Sequence, residues 1–287
     1  MGVETLVDIS IEMEKQVIID GKKIALKQEE ELKKQVQELS NPPKVISILV
    51  GEDPSSVLYT NLKQKKAEDV GINFEALKFS ENSAFDEVGK VVDKLNNDPE
   101  VNGIMVQLPL PKSFLGVHKT EELLEKINPE KDVDGLREES LYLPATARGI
   151  FTLLEEENVP VERKTVVVVG STGMVGKPLV KEMRNRGANV LEADVNTSDL
   201  KSMTEKADIL ISATGVPGII KGDMVKMGVV VIDVGTTKVE GKLKGDVDFD
   251  SVYPKASKIT PVPGGVGPMT VISLMENVVE SVVERNN

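Results

Sequence analysis

The 287-residue chain has no cysteine, no tryptophan and a single histidine, and only 3% of its residues are aromatic. Without cysteine it can form no disulfide, thiolate metal site or cysteine nucleophile, and the composition suits a reducing compartment. With His118 as the one imidazole, a multi-histidine metal centre cannot be built, so no metal is expected. Positive charge is also scarce. Lys and Arg number 35 against 47 Asp and Glu, a net charge of −12, which is not the basic footprint of a nucleic-acid binder. No apolar run approaches the roughly 20 residues of a membrane span. The N-terminal MGVETLVDISIEMEK is acidic and shows no basic segment leading into an apolar core. The expectation is a cytoplasmic protein with neither nucleic acid nor membrane as partner. What is present is enough to build real cores: 40% hydrophobic and 29% charged residues. The length fits two domains at about 150 residues each.

Along the chain, apolar and polar periods alternate. Ile24, Leu32, Val36 and Leu39 stand among charges in an amphipathic helix pattern that ends before Pro42-Pro43. Then come a strand over 45–51, a helix opened by Pro54-Ser55-Ser56, a strand over 74–79, a helix over 84–98, a strand over 101–110 and a helix over 119–127. Strands alternating with helices imply a parallel sheet covered on both faces. After the loop NPEKDVDG, a helix over 146–159 leads to KTVVVVG, apolar enough for a central strand. A second alternating unit follows: helix 174–187, strand 188–193, helix 199–207, strand 208–214, helix 222–228 and strand 229–235. KITPVPGGVGPMT reads as a loop, and the last helix starts at Thr270. The boundary falls near Pro144, so residues 1–143 form one domain and 144–269 the other, with the helix 270–287 apart.

Five stretches could carry chemistry. In VVVVGSTGMVGKP a buried strand runs into Gly170, Gly173 and Gly176 and then a helix, an arrangement that brings a pyrophosphate to a helix N-terminus. The spacing is GxxGxxG, not GxGxxG, and a ligand-free turn could use the same glycines. At the end of the next strand stand Glu192 and Asp194, acids of the type that bind the ribose 2′-hydroxyl of NAD. No Lys or Arg precedes Lys177 in that loop, so local chemistry favours NAD. Tyr59 and Lys63 are four apart and share a helix face, with Ser56 one turn earlier. A buried lysine there would be a proton-transfer group and an exposed one merely solvated. Gln107 ends an apolar strand at the edge where open α/β sheets bind ligands. Asp132 and Asp134 flank Val133 before Gly135, where an Asx turn is the plain alternative.

Taken in order, YTNLKQKKAEDVG, GIMVQLPLP, NPEKDVDG, VVVVGSTGMVGKP, VVIDVG and TPVPGGVGPMT closely resemble the bifunctional methylenetetrahydrofolate dehydrogenase/methenyltetrahydrofolate cyclohydrolase family over nearly the whole chain. The resemblance implies an α/β fold of two domains. One is an N-terminal catalytic domain and the other a Rossmann-like, doubly wound cofactor domain, with the C-terminal helix packed back on the first. It implies a homodimer, folate lying between the domains, and NADP as the usual cofactor. Carried over by position, Lys63 would be the catalytic lysine supported by Gln107, and Tyr59 would stack on the aminobenzoyl ring. Ser56 would line the same pocket, Asp134 would hold the pterin, and Pro263, Gly264 and Gly265 would wall the cleft. Gly170, Ser171, Thr172, Gly173, Gly176, Asp194 and Thr236 would meet the cofactor.

The chain departs from the family at several points. Ser171-Thr172 stands where members carry Arg-Ser, and Asp194-Val195-Asn196-Thr197 replaces a basic strand end, so both usual 2′-phosphate contacts are missing. Gly235-Thr236-Thr237 replaces Gly-Ile-Asn, and the segment 136–143 is short. Two rivals stand beside this reading. One is a cyclohydrolase or folate binder that has lost its redox half. The other is a two-domain dehydrogenase of the shikimate type.

Overall fold

A computed structural model of the chain describes residues 17–286. By its contacts the chain divides into two units.

The unit formed by residues 26–145 and 271–286 holds a three-stranded parallel sheet. After α1 (Gly21–Glu38), the order is β1 (Lys44–Val50), α2 (Pro54–Val70), β2 (Asn73–Phe79), α3 (Phe85–Asn96), β3 (Gly103–Val106), α4 (Lys112–Leu115) and α5 (Thr120–Leu124). The spatial order is β2-β1-β3. Ile46, Ile48, Ile104 and Val106 pack with Phe85, Val88, Val92 and Leu123, so α3 and α5 cover one face. The start of α2 is set locally. Asp53 caps it by accepting the Ser56 N–H at 2.8 Å, and Pro54 takes a first-turn position whose N–H would be unbonded anyway. Gly71, at φ 88°, stops the helix in the left-handed conformation. The predicted strand 101–110 shortens to Gly103–Val106, because Pro109 and Pro111 have no N–H to give a ladder.

The other unit comprises residues 17–25 and 146–270 among those described. It contains α6 (Ala145–Glu156), β4 (Thr165–Val169), α7 (Gly176–Asn185), β5 (Asn189–Ala193), α8 (Leu200–Thr204), β6 (Ile209–Ser212) and β7 (Val229–Asp233). These are followed by the hairpin β8 (Thr237–Val239) and β9 (Lys242–Lys244), then α9 (Phe249–Val252) and β10 (Ala256–Ile259). Five parallel strands run in the order β10-β7-β6-β4-β5. This is a doubly wound sheet whose direction of winding reverses at β4. Val167, Val169, Leu210 and Val231 make one core face with Ala207, Val225 and Val252.

Several elements differ from the sequence expectation. The helix predicted over 222–228 is a single 3₁₀ turn, Gly222–Met224, too short to propagate between its two glycines. Strand β10 overlaps the start, Lys258-Ile259, of the stretch that reads as a loop. Its outer edge takes a bridge from Ile18, and the Ile19 N–H donates to the Ile259 carbonyl at 2.8 Å. The sequence reading placed these N-terminal residues in the first domain, whereas their backbone pairs with the edge of the second sheet. The last helix, α10 (Val266–Asn286), begins four residues before Thr270. Its window Val266–Val283 is long and apolar enough to cross a membrane by length and composition, contrary to the expectation that no run comes close. More than half of that window is buried inside the protein. Asn277 explains part of this burial: its amide donates to the carbonyls of Val133 at 2.8 Å and Leu143 at 2.9 Å, tying the helix to the first unit.

Candidate active site

In the first sheet the crevice at the carboxyl ends of β1 and β3 is where the winding reverses, the usual ligand position in an open parallel sheet. Lys63 and Gln107 meet there. Lys63, on α2, is 9% exposed, and its ammonium donates to Gln107 Oε1 at 3.2 Å. Gln107 is held from both ends: its backbone N–H donates to the Ile48 carbonyl at 2.8 Å and its side-chain amide donates to the Leu108 carbonyl at 2.8 Å. That leaves Oε1 aimed at the lysine. Burial pushes the Lys63 pKa below the usual lysine range, and the Asp134 charge nearby works against that push.

Asp134 owes its place to the KDVDG loop. Lys131 is buried and donates to the carbonyls of Leu95 at 2.8 Å and Asp98 at 2.6 Å, satisfying the end of α3. Val133 lies against Gly103 of β3, where a Cβ would come within 2.7 Å of its methyls. The two aspartates then divide the alternatives left open by sequence. Asp132 is the turn acceptor, taking the N–H groups of Arg137 at 3.1 Å and Leu136 at 3.4 Å, and burial raises its pKa to about 6. Asp134, half-buried, carries the charge felt by Lys63. Gly135, at φ 71°, turns the chain where a Cβ would strike Pro144 N at 2.6 Å.

Ser56 and Tyr59 share α2 with Lys63. Ser56 is buried, and its hydroxyl has no hydrogen-bond partner among the described residues. Tyr59 is 41% exposed, an aromatic ring open to stacking. Pro263, Gly264 and Gly265 belong to the other unit. There the Gly264 carbonyl accepts the Lys22 N–H at 3.1 Å, and Gly265 leaves no room for a Cβ on Gly21.

In the second sheet the glycine loop follows β4. Gly170 has φ 86°, and a Cβ on it would lie 2.4 Å from the Ala213 carbonyl after β6. A Cβ on Gly176, the first residue of α7, would lie 2.1 Å from the Gly170 carbonyl. Gly173 donates its N–H to that same carbonyl at 3.1 Å. Ser171 is buried, Thr172 exposed. The loop thus presents bare backbone at the start of a ten-residue helix, a cradle that fits a dinucleotide pyrophosphate. Asp194 folds back on its own turn, accepting the Asn196 N–H at 2.8 Å. Thr236 is exposed after β7, and the neighbouring Thr237 hydroxyl donates to the Gly215 carbonyl at 2.9 Å.

Sequence reasoning missed a buried acid pair at this edge. Asp233 ends β7 and accepts the N–H groups of Asp246, Val247 and Gly235 at 2.9, 2.9 and 3.0 Å. Burial, with Asp246 alongside, raises its pKa to about 6. Asp246 in turn accepts from the Thr214 N–H at 2.6 Å, the Thr214 hydroxyl at 2.8 Å and the Ser212 hydroxyl at 2.9 Å. It therefore fixes the loop after β6. An acid at the end of the apolar strand VVVID was the available signal.

Two family models match. One, described as the tetrahydrofolate dehydrogenase/cyclohydrolase catalytic domain, matches residues 19–134, and the other, its NAD(P)-binding domain, matches 144–286. A relative from Lactobacillus helveticus named bifunctional protein FolD is 44% identical over 282 residues, 94% of this chain and 99% of its own. The crystal structure of the bifunctional FolD dehydrogenase/cyclohydrolase from Campylobacter jejuni superposes with a TM-score of 0.90 at 40% identity, covering 94% of this chain and 99% of that one. The Trypanosoma brucei dehydrogenase-cyclohydrolase, complexed with NADP cofactor and inhibitor, gives 0.86 at 33% identity, covering 94% and 98%. These likenesses do not favour either rival reading.

Proposed function

Since the chain belongs to the tetrahydrofolate dehydrogenase/cyclohydrolase family, a bifunctional enzyme that oxidises 5,10-methylene- to 5,10-methenyltetrahydrofolate and hydrolyses this to 10-formyltetrahydrofolate, we propose that Lys63 moves the protons of the hydrolytic half. The observation that carries this role is the buried ammonium held by Gln107 at 3.2 Å, with its pKa lowered by burial.

Lowering the lysine pKa raises the fraction of free amine, the form a base needs. Its lone pair takes a proton as water adds to the methenyl carbon. The C–O bond forms, and the cation becomes a neutral carbinolamine. The ammonium then returns that proton to N5 as the carbon–N5 bond breaks, the hydroxyl proton is lost to solvent, and the formyl group stays on N10. Gln107 keeps the amine in place. In the same reading Asp134 accepts the N–H donors of the amino-pyrimidine edge of the pterin. Its charge is also what keeps the Lys63 pKa from falling further. Tyr59 stacks on the aminobenzoyl ring, Ser56 gives its hydroxyl to the same pocket, and Pro263, Gly264 and Gly265 form a wall near the substrate.

The nicotinamide dinucleotide, when bound, accepts the hydride from the methylene carbon. Gly170, Ser171, Thr172, Gly173 and Gly176 would hold its pyrophosphate, Thr236 would stand near the nicotinamide and Asp194 near the adenosine ribose. NAD is preferred over NADP in this reading, supported by the uncharged Ser171-Thr172 and the acids at the end of β5. A homodimer in the cytoplasm completes the proposal, supported by the family resemblance and the cysteine-free composition. Initial rates of methenyltetrahydrofolate formation with NAD and NADP supplied separately test the cofactor assignment. A higher rate with NAD is expected, and a higher rate with NADP would refute it.

A further inference from the structure

The glycine loop opens sideways into a groove of about 340 Å³ between α7 and β5, lined by Ser171, Lys177, Lys181, Arg184 and Glu192 among others. Lys177, Lys181 and Arg184 recur at spacings of four and three, so one face of α7 carries three cations in a protein of net charge −12. Glu192 is an acid lining the same groove. Its Oε1 accepts from Arg184 at 2.5 Å, while the Asp194 carboxylate beyond it is turned into its own loop. This is the end of the strand after the glycine loop, where a dinucleotide fold reads the 2′ position of the adenosine ribose: an acid takes the hydroxyl, an arginine the phosphate.

Resting on the cofactor reading above, we propose that the Arg184–Glu192 pair decides between the 2′-hydroxyl and the 2′-phosphate. Glu192 holds the guanidinium that a phosphomonoester would need and repels the phosphate itself. Arg184, with Lys181 lining the same groove, then forms a latent phosphate site masked by that carboxylate. Both members of the pair are well exposed, 53% and 40%, so the pair is weakly held and its exchange for a phosphate is not blocked by packing. Guanidinium and phosphate match as a planar fork against paired oxygens, a geometry lysine cannot supply. Arg184 is therefore the residue on which the latent site turns.

The test uses the full chain and two nucleotides that differ only at the 2′ position, 5′-ADP and 2′,5′-ADP, titrated calorimetrically. In Glu192→Gln the ratio of affinities should move toward 2′,5′-ADP by about tenfold or more, since a repulsion is removed and a charge-assisted contact released. In the double variant R184Q/E192Q the ratio should fall back toward that of the parent. A ratio in E192Q within about twofold of the parent overturns the proposal, as does a gain that survives loss of Arg184. Failure of the underlying reading looks different: the parent would then bind neither nucleotide, and the proposal would fall with it. Both side chains being exposed, thermal unfolding of each variant should match the parent, and a matched transition ties any ratio change to the groove.

Discussion

The two parallel sheets share a beginning. Each places its first strand between its second and third, β2-β1-β3 in one and β5-β4-β6 in the other, so each has a crevice where the winding reverses. The crevices are furnished in opposite ways. At the first, the loops and helix deliver side chains: Lys63, Gln107 and Asp134, with a lysine pKa shifted by burial. At the second, the loop after β4 delivers backbone, and Gly170 and Gly176 have no space for even a methyl group. Proton transfer needs an ionisable group in a poorly solvated place, whereas a pyrophosphate needs N–H groups and close approach. On the reading proposed above, one topology serves two tasks, and its loops decide which.

Breaking the two crevices separately should separate the two activities. The largest effect is expected from Lys63→Met, which should lower cyclohydrolase kcat by about 10²- to 10⁴-fold, the usual worth of a positioned proton-transfer group. The same variant should be more stable than the parent at neutral pH. Because the folded lysine has the lower pKa, the unfolded chain binds more protons between the folded value and the ordinary 10.5, and below that window the native state carries the full cost of charging a buried amine. The gain should vanish as pH rises through the unfolded value, and urea titrations across that range would show it. Cyclohydrolase surviving near the parent rate would remove Lys63 from the mechanism.

Gly176→Ala should act on the other crevice. Its methyl would sit 2.1 Å from the Gly170 carbonyl, forcing the loop apart. We expect nucleotide affinity to drop on the order of a hundredfold and dehydrogenase activity with it, the scale of a site displaced by about 1 Å. Hydrolysis of added methenyltetrahydrofolate should persist, and its loss in a folded variant would show that the two crevices do not work independently.

A smaller, pH-linked effect should report on the supports behind each crevice. Asp132 and Asp233 have folded pKa values raised to about 6 from 3.8. Between these values the native state holds protons that the unfolded chain has released, so stability should fall as pH rises from about 4 to 6 and level off above. Each group accounts for about 3 kcal/mol at most. In the double variant D132N/D233N that slope should flatten, and an unchanged slope would locate the titration elsewhere.

Much of this arrangement is legible in the chain. Hydrophobic alternation shows in VISILV and TVVVV, and the turns are marked by Pro54 and Gly71, because periodicity and capping are local. What was hidden depends on partners far along the chain. The strand ASKI carries no apolar run and becomes β10 only because β7 and Ile18 pair with it. The 222–228 segment has the composition of a helix but a glycine at each end, Gly222 and Gly228. Lys63 is indistinguishable by spacing from Lys65 and Lys66; only burial under the fold and the Gln107 amide, 44 residues away, single it out. Likewise Arg184 and Glu192, eight apart, meet only because β5 folds back beside α7.

The most direct test is the ionisation of Lys63 itself. Titration of ¹³C-lysine-labelled protein by NMR, with Lys63→Met to assign the signal, should give a midpoint below the ordinary 10.5, and Asp134→Asn should lower it further by removing the charge that holds it up. A midpoint at or above 10.5, or an upward movement in Asp134→Asn, would contradict the account.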